Sequence, residues 1–125
     1  MKLFALSFTF VLAVSFCANG QDCESAGSTM STVRACLYNK LDKDLNSAYQ
    51  PLYRSLLTKK PAAAKLLQKS QISWGKFVED SCAFVVEINV EDMLLEDARY
   101  NCQLDFTTAR IKVLKAWAAQ SRRAP

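Results

Sequence analysis

The stretch SQISWGKFVEDSCAF, residues 70–84, decides the fold. Ser70, Trp74, Phe77, Val78 and Cys82 recur at helical spacing, with Lys76, Glu79 and Asp80 between them. Such a stripe describes one buried face of an α-helix with charge on the other. The stripe reaches back to Leu66 or Leu67 and forward to Val85. Beyond it, the β-branched run FVVEINV predicts an irregular or extended finish.

Working outward, the upstream side repeats the pattern. Leu37, Leu41, Leu45, Ala48, Leu52 and Leu56 mark one face of a first helix. Ser28, Thr29 or Ser31 can cap it. Pro51 interrupts the pattern and predicts a kink or a break near Ser47 to Gln50. Pro61, after TKK, suits the first position of the next helix. Downstream, Glu91 and Asp92 open a third helix in favourable relation to its dipole. Its stripe reads Leu95, Ala98, Cys102, Phe106, Ala109, Val113 and Trp117. Three helices with one apolar stripe each must bury those stripes on one another. The expected fold is all-α: a small three-helix bundle or α-hairpin stapled by two disulfides.

The N-terminus, MKLFALSFTFVLAVSFCANGQDC, places one lysine before an apolar run and Ala18-Asn19-Gly20 after it. This is the pattern of a secretory signal peptide over residues 1–20, cleaved after Gly20 to leave a helical domain at 21–125. The run is short for a membrane span of about 20 residues. Phe16 before Cys17 is also too large for lipid attachment at that cysteine. Removal of Cys17 leaves Cys23, Cys36, Cys82 and Cys102, an even set in an exported chain, which argues for two disulfides. Zinc is the rival use of these cysteines. The wide spacings, the lack of a C-x-x-C pair and the lack of any histidine speak against it, so no metal or other cofactor is expected. With a turn near residues 88–93, Cys82 and Cys102 lie at levels differing by roughly 5 Å, within bridging reach. Cys23 then joins Cys36. Each closed loop contributes about 3 kcal/mol in the chain-entropy account.

Charge is unevenly distributed. Nine basic residues and two acids lie between Arg34 and Lys76, eight acids and only Arg99 between Glu79 and Asp105, and five basic residues without an acid from Arg110 onward. On amphipathic helices such runs are ordinarily solvated faces, though they can steer a charged partner. Catalysis is not expected. Without histidine there is no Ser-His-Asp or Cys-His arrangement. Asp42 with Asp44, and Glu96 with Asp97, are carboxylate pairs on solvated helices rather than in a desolvated cleft. No phosphate-binding glycine loop occurs, and the acidic middle segment disfavours nucleic acid. Asn46, Gln71, Thr107 and Arg110 are polar residues within helical stripes. They are either ligand contacts or, more commonly, partners for one another inside the bundle.

Three blocks carry a resemblance: LDKDLNSAY (41–49), QISWGKFVEDSC (71–82) and CQLDFTTARIKVL (102–114). Their order and spacing resemble the exported family named after the N-terminal domain of the LprI lysozyme inhibitor. The matching positions are Leu45, Asn46 and Tyr49, then Gln71, Trp74 and Cys82, then Cys102, Thr107, Arg110 and Leu114. Two departures are Val78, where the family often has arginine, and EINVEDMLLED (87–97), where it often has a glycine- and serine-rich segment. The resemblance implies an exported, periplasmic or extracellular, non-catalytic protein that inhibits a lysozyme-type muramidase by direct binding. The alternative is an envelope structural or adaptor module that binds another cell-surface component. A C-type lysozyme is strongly basic, so the expected contact is the acidic turn between the second and third helices: Glu87, Glu91, Asp92, Glu96 and Asp97. Trp74 is expected in the core. No stable membrane insertion is expected after signal removal, and the oligomeric state is not read from the sequence.

Overall fold

The computed structural model describes residues 23–25, 27, 29–89 and 95–123. The signal-peptide expectation for 1–20 therefore lies outside the described residues, as do Glu91 and Asp92. Three long helices follow one another: α1 (Met30–Lys59), α2 (Pro61–Ile88) and α3 (Leu95–Arg123). Each touches both of the others, which makes a three-helix bundle rather than a hairpin with an appendage.

Of the three candidate caps, Thr29 starts α1. Its hydroxyl accepts from the Thr32 amide at 3.3 Å, and the Thr32 hydroxyl accepts from the Thr29 amide at 3.4 Å. The reciprocal arrangement satisfies donors that a helix start leaves open. Pro61 stands in the first turn of α2, where its missing amide costs nothing. At the other end of α2, Asn89 donates its side-chain amide to the Val85 carbonyl at 2.7 Å and closes the last turn.

The largest contiguous cluster of buried side chains lies in one half. Ala48 and Leu52 of α1, Leu67 of α2 and Leu114 of α3 form the buried cluster, flanked by Leu45, Tyr49, Leu56 and Ile111. Toward the other end, the buried residues include Cys23, Leu41, Val78, Cys82 and Ala98. Both disulfides sit there. Cys23 joins Cys36 with 5.5 Å between Cα atoms, and Cys82 joins Cys102 with 5.6 Å. The pairing expected from helix levels is the one formed.

Four local expectations are corrected. Helix α1 does not break at Pro51: the proline and Ser47, four residues before it, are both exposed, so the missing hydrogen bond falls on the solvated side of the helix. The β-branched run after Cys82 stays helical to Ile88, because packing of Val85 and Val86 overrides strand propensity. Trp74 is half-buried, while Val78 and Cys82 take the core positions beside it and Phe77 is 55% exposed. On α3 the inward face departs from the expected stripe past Cys102. Ala109 is exposed, as are Val113 and Trp117, whereas Thr107 and Leu114 are buried. The inward face there must meet α1 and α2 together, and it includes polar positions that an apolar count passes over.

Candidate functional site

Arg110 organises the α2–α3 seam. Its Nε donates to Gln71 Oε1 at 3.0 Å and its Nη2 to Ser70 Oγ at 2.9 Å. The guanidinium also lies 5.8 Å from the centre of the Trp74 ring and 5.1 Å from that of Trp117. Two aromatic faces stabilise the cation where water is scarce. Burial nonetheless pulls its pKa below the ordinary arginine value, though an arginine remains charged at any working pH. Among the described residues no carboxylate pairs with it. The polar pair Gln71 and Ser70 and the two rings take that place.

Several of the matched residues lie together in the fold. Gln71, Trp74 and Arg110 meet one another, and Thr107 is buried three residues before Arg110. Tyr49 stacks on Tyr53 at 5.5 Å against the core cluster, and Asn46 is exposed on α1. Ser70 and Trp117, which the sequence marks only as stripe positions, complete the Arg110 cluster. A serine inside an apolar stripe was the signal for the first. Trp117 lies two turns after Arg110 on the same helix, and that spacing was the signal for the second.

The acidic end has a different construction. Glu87 in the last turn of α2 and Glu96 in the first turn of α3 are both exposed. Phe84 and Ile88 are exposed beside Glu87, at 63% and 62%. Asp97, by contrast, is engaged: Arg34 reaches it through Nη2 at 3.0 Å and Nε at 3.1 Å, tying the start of α1 to the start of α3. Next to this pair, Tyr38 meets Tyr100 edge-on at 5.2 Å. Burial, and then the nearby Glu96, raise the pKa of Tyr38.

At the opposite end, a groove of about 330 Å³ opens between the helices, lined by Leu52, Leu56, Leu66, Leu67 and Trp117. It holds no arrangement of nucleophile and base. No cluster of potential metal ligands occurs among the described residues, and none of their helices is long and apolar enough to cross a membrane.

No curated protein and no solved structure matches the chain. A family model does: that of the lysozyme inhibitor LprI matches residues 17–114, a span that holds all four paired cysteines, Arg110 with Gln71 and Trp74, and the acidic turn. By that match over most of its length, the chain belongs to the lysozyme inhibitor LprI family.

Proposed function

We propose that the protein is an exported, non-catalytic inhibitor that binds a C-type lysozyme directly and covers its substrate cleft with the acidic end of the bundle. Family membership supports the inhibitory role. Two disulfides support export, since such bonds persist in oxidising compartments. The observation that carries the choice of surface is the pairing of exposed Glu87 and Glu96 with exposed Phe84 and Ile88 at one end. Carboxylates draw in a cationic enzyme, and apolar side chains supply the area that holds it once docked. Glu91 and Asp92 belong to the same stretch of sequence and add to its negative charge. The net charge of +4 does not oppose this reading, because the fold sends most of the positive charge to the other end.

The test is lysozyme turbidity and association kinetics with the purified protein. Glu87→Lys, Glu91→Lys and Glu96→Lys together are expected to leave folding intact and to slow association at least about tenfold at low salt. Added salt should shrink that difference. Full inhibition by the triple variant would move the contact elsewhere. No inhibition by the parent protein would remove lysozyme as the partner.

A further inference from the structure

The two antiparallel turns of the bundle bring together two stretches distant in sequence: 45–75, which runs from α1 across Lys60 into α2, and 106–123 of α3. This half of the molecule holds ten lysines and arginines and not one aspartate or glutamate. Nine of the ten are exposed, Arg110 being the half-buried exception. Lys59, Arg122 and Arg123 sit in last turns of helices, where cations suit the dipole. The remainder have no such local reason. The first turn of α2 carries no acidic residue and follows Lys60, the opposite of what its N-terminus favours.

The same half opens the apolar groove, and its edge is greasy as well as charged. Leu66 is 69% exposed, Leu57 47% and Trp117 40%. Leu52 and Ser121 line this groove and also a neighbouring one that carries Lys115 and Arg122. Cations around exposed leucine and tryptophan match the boundary of an anionic lipid layer, where lysine meets headgroups and tryptophan sits at headgroup depth. A nucleic acid or an acidic polysaccharide would use the charge but not the leucines.

We propose that this carboxylate-free half is a peripheral docking surface for an anionic phospholipid membrane. The contact is with the surface alone, since no described helix can span a bilayer. It is independent of the acidic end, which the docked molecule would hold away from the membrane.

The experiment is co-sedimentation of the whole protein with vesicles of phosphatidylglycerol mixed into phosphatidylcholine, against vesicles of phosphatidylcholine alone. Binding is expected only to the anionic vesicles and should fall steeply with salt. Each basic residue near the surface contributes about fivefold to partitioning, so Lys59→Gln, Lys60→Gln and Lys65→Gln together should weaken it about a hundredfold. Leu66→Ser should weaken it severalfold with the charge unchanged. Circular dichroism checks that the variants fold, and lysozyme inhibition should be the same in all of them. Equal binding to both vesicle types overturns the proposal, and so does binding indifferent to the lysine substitutions. Retention on heparin without affinity for vesicles also overturns it, in favour of a soluble polyanion.

Discussion

At the end where α2 gives way to α3, both disulfides, the Arg34–Asp97 pair and the Tyr38–Tyr100 contact lie close together. At the end where α1 gives way to α2 there is no disulfide, and the cluster of Ala48, Leu52, Leu67 and Leu114 holds the helices together. The residues buried near the cystines are mostly small: Ala98, Val78, Cys23 and Cys82, beside Leu41. A chain of this length cannot bury a large core at both ends. Where apolar contact is thin, covalent links limit the freedom of the unfolded chain instead. The difference also frees surface. A stapled end can expose Phe84, Ile88 and several carboxylates and still keep its shape.

The largest effects test that division directly. Cys82→Ala with Cys102→Ala should cost about 2–5 kcal/mol, and Leu114→Ala, at a fully buried position, a similar 2–5 kcal/mol or so. Denaturant melts measure both. Hydrogen exchange separates them: without the cystine, amides of the last turns of α2 and the first turns of α3 should lose protection first. Even loss along all three helices would mean that the bundle is one cooperative unit and that the contrast between its ends is only compositional.

Much of this contrast was legible in the sequence. Three stripes gave three helices, and counting rise per residue gave the Cys82–Cys102 level. What failed was the inward face of α3, because Thr107 and Arg110 are polar and an apolar stripe at Ala109, Val113 and Trp117 looked better. Burial there depends on two neighbouring helices at once, and no window along one helix contains that information. The charge runs were visible as runs. That they assemble into one carboxylate-free half follows only from which turns are antiparallel.

A smaller effect should come from the seam that joins the two ends. Arg110→Met leaves Gln71 and Ser70 half-buried without their partner and removes the cation from between two rings. The expected cost is about 1–3 kcal/mol, most of it the penalty of unpaired polar groups. Gln71→Leu in that background should recover part of it, since removing both partners costs less than removing one. If the double variant is less stable than the single by the full cost of Gln71→Leu alone, the two residues act independently and Arg110 is held chiefly by Trp74 and Trp117.

The smallest effect has opposite signs in two measurements. Arg34 and Asp97 are partly exposed, at 22% and 37% of their side chains, so their pairing is worth about 0.2–1 kcal/mol. Arg34→Ala should therefore destabilise the fold only slightly. Asp97 keeps its favourable place in the first turn of α3 whether or not it is paired. The same substitution removes a cation from the acidic end and releases a carboxylate there. If that end meets lysozyme, association should quicken by a factor on the order of two at low salt, with the gain fading as salt rises. Asp97→Asn should slow association and lose a comparable amount of stability. Should Arg34→Ala slow association instead, Arg34 would itself be a contact, and the partner would be reading the ion pair rather than the negative charge around it.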